Sequence, residues 1–282
     1  MEKKIVHVGS LALGDGNPKI CVPLTAGNLV QMESQLEKIR AVPCDMIELR
    51  ADYYEGDPIE ELAAIRERMP DMPVLFTLRT KEEGGERAIS PEEYARLNLR
   101  AAGVSDVLSM AGVSDVLSMA GVSDGPGMAE MLDGMHRAAA VRADLIDLEL
   151  NRGEEFVRNL AARLQSTGVK IIISYHDFTC TPDKENLVHL LGRMQSLGAD
   201  ITKAAVMPQC ERDVLTLLSA AVTMKEQAAD RPYIVMSMGR LGAVSRLAGH
   251  LTGSAVTFAT AGAASAPGQM DAGFVARALE LL

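Results

Sequence analysis

Cysteine is scarce in this 282-residue chain: Cys21, Cys44, Cys180 and Cys210 are the only four, and no two form a Cys-x-x-Cys pair. The five histidines are scattered, so neither a zinc site nor a disulfide framework is indicated, and reduced thiols in a cytoplasmic protein are expected. Long apolar runs are also missing. No segment approaches about 18 uncharged apolar residues, and Met1-Glu2-Lys3-Lys4-Ile5-Val6-His7 lacks the apolar stretch of a signal peptide, so a protein neither secreted nor membrane-spanning is expected. Positive charge is short: 28 Lys plus Arg stand against 38 Asp plus Glu, a net charge of −10. That balance disfavours nucleic acid or an anionic membrane as partner and favours a small-molecule substrate. No Gly-x-Gly-x-x-Gly or phosphate loop follows the first strand candidate, which weakens a dinucleotide-binding reading.

What the chain does contain is a regular alternation. Short runs rich in β-branched and apolar residues at 20–24, 46–51, 74–80, 145–150, 170–176, 201–207, 233–238 and 255–259 read as strands. Between them, helical periodicity appears at 29–40, 58–68, 91–100, 154–165, 184–197 and 212–227, with a last helix at 274–281. Pro58 and Pro91 sit where a first helical turn tolerates a missing N–H. Strands that alternate with helices pair in parallel, and their continuous apolar character implies burial on both faces. The pattern predicts an α/β fold, a (β/α)8 TIM barrel spanning 1–282 as a single catalytic domain, although an open doubly wound sheet gives a similar string.

One segment breaks the rhythm. Residues 102–110 read AGVSDVLSM, 111–119 repeat them letter for letter, and 120–124 begin a third copy before Gly125-Pro126-Gly127 ends it. Nine residues are two and a half helical turns, so successive copies present opposite helix faces, and an odd repeat also flips face in a strand. No single surface buries every copy alike, and the copies are too few for a solenoid. The segment 102–127 is therefore expected to be a poorly ordered or loosely helical insertion between the third and fourth barrel strands, with a helix resuming at 128–142.

Catalytic groups of a parallel barrel sit at the C-terminal ends of its strands, and here those ends carry the ionisable residues. The second strand delivers Glu48, Arg50 and Asp52 to one face, the third ends in Arg79 ahead of Glu83, the fourth carries Asp147 and Glu149, and the fifth ends in His176. Lys203 lies inside the apolar sixth strand, where it would lose hydration and gain no partner from its sequence neighbours, a setting that favours a free amine able to attack carbonyls. Its other reading is a stem lying on the sheet while its ammonium snorkels to water or pairs with a carboxylate. Arg246 follows the seventh strand, and Ser265 and Gln269 follow the eighth. Of the 16 methionines, Met207 and Met238 are placed to line a pocket.

These residues spell a pattern. Glu48-Leu49-Arg50, Arg79 followed by Glu83-Gly84-Gly85-Glu86, Asp147-Leu148-Glu149-Leu150, Ser174-Tyr175-His176-Asp177-Phe178, Lys203 with Val206-Met207-Pro208, Ser245-Arg246-Leu247-Ala248-Gly249 and Ser265-Ala266-Pro267-Gly268-Gln269 together resemble type I 3-dehydroquinate dehydratase, the Schiff-base enzyme of the shikimate pathway. The resemblance runs from about Lys19 to the C-terminus, the repeat excepted. It implies that Lys203 forms an iminium with the ketone of 3-dehydroquinate, that His176 moves protons, and that Glu83 orients and tunes His176. Arg246 matches the residue that clamps the substrate carboxylate; Glu48, Arg50, Arg79, Ser265 and Gln269 match positions that hold the ring hydroxyls or carboxylate, and Asp147 supports them from behind. It further implies syn elimination of water to 3-dehydroshikimate without metal or organic cofactor, and a homodimer.

The chain departs from the family on its first strand, where a position that often carries a serine reads Pro23, so that any contact there must use backbone or apolar atoms. Two other readings stand beside the resemblance: a different Schiff-base barrel acting on a sugar phosphate, and a non-catalytic metabolite-binding protein that uses the repeat as a docking arm.

Overall fold

The computed structural model describes residues 4–104, 141–262 and 264–282. Two short strands, β1 (Val6–Val8) and β2 (Leu11–Leu13), come first. Eight longer-range partners follow: β3 (Lys19–Leu24), β4 (Met46–Arg50), β5 (Val74–Thr77), β6 (Leu145–Glu149), β7 (Lys170–Asp177), β8 (Ile201–Val206), β9 (Tyr233–Ser237) and β10 (Val256–Phe258). These eight form one parallel sheet in the order β10-β3-β4-β5-β6-β7-β8-β9. Each predicted strand is present, and the sheet curls into a nearly closed barrel. Its seam lies between β9 and β10, where the bridge Tyr233↔Ser254 and the hydrogen bond from Ala255 N to Tyr233 O (2.8 Å) join the edges.

Helices cover the outer face, and their starts follow from local chemistry. The helices Leu29–Arg40, Pro58–Arg68, Pro91–Ala101 and Lys184–Ser196 begin behind Asn28, Asp57, Ser90 and Asp183, whose side chains each accept from a first-turn N–H. The helix Glu211–Thr223 is shorter than expected because its last turn widens into a π-helical segment, Met224–Ala228. Outward-facing residues such as Val22, Ile47, Phe76 and Ile171 pack with the helices in the main apolar cluster. No helix among the described residues is long and apolar enough to cross a membrane.

The antiparallel hairpin of β1 and β2 was not anticipated from the sequence. Its Val6, Val8 and Leu13 join Cys21, Met46, Leu75, Leu145, Ile172 and Ile201 in a second apolar cluster that fills the lower barrel. The hairpin thus covers residues at the N-terminal ends of the strands. Its sequence signal is Val6-His7-Val8 and Leu11-Ala12-Leu13 around Gly9-Ser10, too brief to stand out from a loop.

The repeat beyond residue 104, and the helix expected at 128–142 up to residue 140, lie outside the described residues. Ala102 is described; it is buried at the cap of the helix Pro91–Ala101 and belongs to the barrel wall.

Candidate active site

Period-2 alternation sorts each strand into outward and inward residues, and the inward ones change character along the strand. At the start of the strands they are apolar: Met46, Leu75, Leu145, Ile172, Ile201 and Ile234. Two residues further on they become Glu48, Thr77, Asp147, Ser174, Lys203 and Met236, and two further again Arg50, Arg79, Glu149, His176, Ala205 and Met238. The lower barrel is a packed hydrophobic plug, and the upper barrel is a charged cup on top of it.

Lys203 stands in that cup with 3 % of its surface exposed. Its Nζ donates to Asp147 Oδ2 at 3.2 Å, lies 3.9 Å from Glu48 Oε1, and sits 4.6 Å from the centroid of the Phe258 ring. Its neighbours in sequence supply no partner, but β6, 56 residues away, supplies Asp147, so the ammonium is paired to a carboxylate as in the second reading of this lysine. Glu48 is itself fixed by a hydrogen bond from Thr77 Oγ1 at 2.9 Å.

On the adjacent strand, His176 pairs through Nδ1 with Glu83 Oε2 at 2.8 Å. The register Ser174↔Lys203 and His176↔Ala205 puts the imidazole one inward position above the lysine. Burial, together with the cations Arg79, Lys203 and Arg50, holds the imidazole well below its ordinary pKa, so the neutral ring is favoured. Burial pushes Glu83 up to about 8 against the pull of Arg79. Its second oxygen, Oε1, is buried with no hydrogen-bond partner. Glu83 comes from a 3-10 turn, Lys81–Glu83, that folds back over the barrel mouth. Gly85 permits this fold, because a Cβ there would collide with the Arg79 carbonyl oxygen.

Arg79 is the hub of a buried carboxylate network. Its Nη2 donates to Asp147 Oδ1 (2.8 Å), and its Nη1 to Glu149 Oε1 (3.0 Å) and Ser174 Oγ (3.2 Å). Burial alone would lower its pKa, but Asp147, Glu149 and Glu83 reverse that and hold it above the ordinary guanidinium range. Arg50 is locked to Asp52 by two hydrogen bonds, Nε–Oδ1 at 2.8 Å and Nη2–Oδ2 at 2.7 Å.

Arg246 is different. It is 3 % exposed, yet it donates to the carbonyl oxygens of Phe258 (3.3 Å) and Pro267 (3.0 Å) and approaches the Met236 sulfur (3.8 Å). Among the described residues no carboxylate pairs with it, and its Nε has no hydrogen-bond partner. Burial pulls its pKa down to about 10. A buried guanidinium satisfied only by neutral groups is suited to receive an anion. Near it, Gln269 Oε1 accepts from Ser265 N at 2.8 Å, so the loop after β10 holds itself by a local clasp.

Lys203, His176, Glu83, Glu48, Arg50, Arg79, Arg246, Ser265 and Gln269 all line one cavity of about 170 Å³. Asp147 does not; it grips Lys203 and Arg79 from beneath. Pro23 opens on a separate hollow with Thr25 and Thr260. Met238 lines the cavity as expected, but Met236 takes the place assigned to Met207. Phe258 and Phe178, which wall the cavity, were not singled out from the sequence. Phe258 was legible only as an inward position of the last strand. Among the described residues no group of three or more His, Cys, Asp or Glu is placed to hold a metal ion.

This geometry has counterparts. The family profile described as "Type I 3-dehydroquinase" matches residues 20–110 and 121–282, passing over about one copy of the nine-residue repeat. The chain is 40% identical over 282 residues to a 3-dehydroquinate dehydratase of Syntrophotalea carbinolica, covering 98% of this chain and 97% of the relative. It is 41% identical over 285 residues to the Bacillus licheniformis protein of the same name, covering 99% and 98%. A crystal structure of type I 3-dehydroquinate dehydratase from Clostridium difficile, solved with covalently modified comenic acid, superposes with a TM-score of 0.81 at 38% identity, covering 99% of this chain and 97% of that one. On these matches over nearly its whole length, the chain belongs to the type I 3-dehydroquinase family of hydro-lyases.

Proposed function

We propose that this chain removes water from 3-dehydroquinate to give 3-dehydroshikimate by syn elimination through an imine on Lys203. The observation that carries the proposal is the shared cavity: an amine, a neutral imidazole and a guanidinium paired only with neutral groups line one small space. The substrate is a cyclic ketone bearing a carboxylate and hydroxyls, and each of those groups meets a matching residue there.

In this reading Arg246 takes the carboxylate through paired N–H donors, while Glu48, Arg50, Arg79, Ser265 and Gln269 hold the ring. The Lys203 amine adds to the ketone carbon, and loss of water from the carbinolamine gives an iminium that acidifies the adjacent C–H. His176 accepts that proton, leaving an enamine, and returns it to the departing hydroxyl, so that one water leaves and a C=C bond forms. A second water then hydrolyses the imine, regenerating the lysine. Glu83 orients the ring of His176 through Nδ1. Asp147 holds the lysine stem in place and faces the charge of the iminium.

Residues 1–282 act in this reading as one catalytic unit, a cytoplasmic homodimer that uses no metal or organic cofactor. The Clostridium difficile relative, whose structure contains covalently modified comenic acid, supports a site that bonds to a ligand. The experiment is a continuous assay: the product's conjugated enone absorbs in the ultraviolet where the substrate does not. Appearance of that absorbance with 3-dehydroquinate, and no turnover of a ketose phosphate, is expected; the reverse would reassign the barrel to sugar-phosphate chemistry.

A further inference from the structure

Glu83 meets His176 from the turn between Thr80 and Arg87, whose neck is closed by a hydrogen bond from Lys81 N to Arg87 O at 2.8 Å. Past Glu83 the turn has no side chain with which to fasten itself. Gly84 lies against the Phe178 ring and Gly85 against the Arg79 carbonyl, each too close for a Cβ. The height of Glu83 over the imidazole therefore depends on what grips the two limbs of the turn.

Each limb is gripped by a buried carboxylate, and each of these carboxylates also holds an arginine of the site. On the first limb, Glu149 Oε1 accepts from Thr80 N at 2.8 Å and from Arg79 Nη1 at 3.0 Å. On the second, Asp52 Oδ2 accepts from Glu86 N at 3.2 Å and from Arg50 Nη2 at 2.7 Å, while Asp52 Oδ1 accepts from Arg50 Nε at 2.8 Å. Glu86 is exposed and Asp52 is buried, so this bond ties the surface limb of the turn to the end of β4. Arg50 and Glu83 line the catalytic cavity; Asp52 does not.

The arrangement needs a carboxylate. An asparagine at 52 turns its amide N–H either toward Arg50 Nε or toward Arg50 Nη2 and Glu86 N. In both orientations donors oppose one another in a buried place, and at least one of the three bonds is lost. Burial would lower the pKa of Arg50, and Asp52 together with Glu48 outweighs it, so the same group also keeps the guanidinium charged.

We infer that Asp52 is a positioning residue that sets Glu83 against His176, by tying the turn that carries Glu83 to the strand end that carries Arg50. The inference rests on the role proposed above for Glu83, and half of its test needs no substrate.

That half is hydrogen–deuterium exchange of the full chain, read over residues 80–87. Exchange at least about tenfold faster in Asp52→Asn than in the parent is expected, with little change in Arg50→Gln, where Glu86 N still reaches Asp52. The other half is steady-state kinetics with 3-dehydroquinate. Asp52→Asn is expected to lower kcat about 10–100-fold, the worth of a misplaced group, yet to leave kcat within about twofold when added to Glu83→Gln, because both changes act through one carboxylate. A residue that merely stabilised the barrel would lower kcat in both backgrounds. Should Asp52→Asn fail to fold, exchange of the Glu86 amide in the parent decides: protection of at least about tenfold over an open chain supports the tie, and none overturns it. Unchanged exchange in Asp52→Asn, equally fast exchange in Arg50→Gln, or a full loss of kcat on top of Glu83→Gln would overturn the inference. A parent that does not turn over 3-dehydroquinate would sink the proposed reaction, while exchange would still decide the tie.

Discussion

Lys203 and Asp147 form a buried pair, Nζ to Oδ2 at 3.2 Å, in which the carboxylate is shared: its other oxygen accepts from Arg79 Nη2 at 2.8 Å and Ser174 Oγ at 2.6 Å. Burial would raise the pKa of Asp147, but Arg79, Lys203 and Ser174 outweigh it and hold the group below the ordinary carboxylate range. A depressed carboxylate stabilises the fold above its unfolded pKa, and that contribution is lost as pH falls through the lower folded value. Asp147→Asn takes the nearest carboxylate from Lys203 and one of its carboxylates from Arg79, and is expected to cost about 3–5 kcal/mol. Urea denaturation as a function of pH checks this; a variant as stable as the parent at pH 7, with the same acid slope, contradicts it.

Arg246→Ala is expected to raise KM for 3-dehydroquinate about 10–100-fold, the worth of hydrogen bonds to a charged group, with a smaller change in kcat. Arg246→Lys recovers only part of this, because an ammonium cannot offer a planar pair of donors. Steady-state kinetics on both variants decide; an unchanged KM removes Arg246 as the carboxylate clamp.

His176 sits well below its ordinary pKa, so its proton-accepting form persists at acidic pH and the acid limb of kcat/KM falls below about 6.5. Arg50 is one of the cations that depress it. Arg50→Gln is therefore expected to move that limb towards higher pH while lowering the plateau. His176→Ala is expected to cost about 10²–10⁴ in kcat. A limb that stays put in Arg50→Gln would mean that another group controls it.

Much of this site was legible in the sequence because it follows the alternation of a strand. Glu48, Arg50, Arg79, His176 and Lys203 occupy inward positions at strand ends, and period 2 alone assigns them to one mouth. Glu83 and Arg246 lie beyond the strands, where chain order put them near that mouth but only the resemblance to the family gave them roles. The partner of Lys203 was out of reach, since the contact between β6 and β8, which flank β7, depends on register and curvature that no local pattern records. The hairpin that covers the lower barrel was missed for the opposite reason: its three-residue strands are too short to show a period. Glu61 reads in the sequence simply as part of an amphipathic helix, yet it is fully buried.

Both carboxylate oxygens of Glu61 lack hydrogen-bond partners, and burial pushes its pKa up to about 8 despite Arg87. A raised carboxyl retains its proton in the folded chain after the unfolded chain has lost it. Its contribution is complete below the unfolded pKa of about 4.5 and is lost as pH rises to about 8. Glu61→Gln is expected to remove this slope and gain a few kcal/mol at pH 8, since each pH unit between those two values is worth about 1.4 kcal/mol. Melting curves between pH 5 and pH 8 read this directly, at roughly 2–4 °C per kcal/mol for a chain of this size. A parent and variant with parallel pH dependence contradict it.

The imine on Lys203 is the centre of the proposed mechanism, and it is read by intact-mass spectrometry after borohydride reduction in the presence of 3-dehydroquinate, beside Lys203→Ala. The predicted result is a stable adduct on the parent chain that maps to Lys203, and none on the variant. A folded, active parent that turns over substrate without ever trapping an adduct, or an adduct that survives in Lys203→Ala, would contradict it.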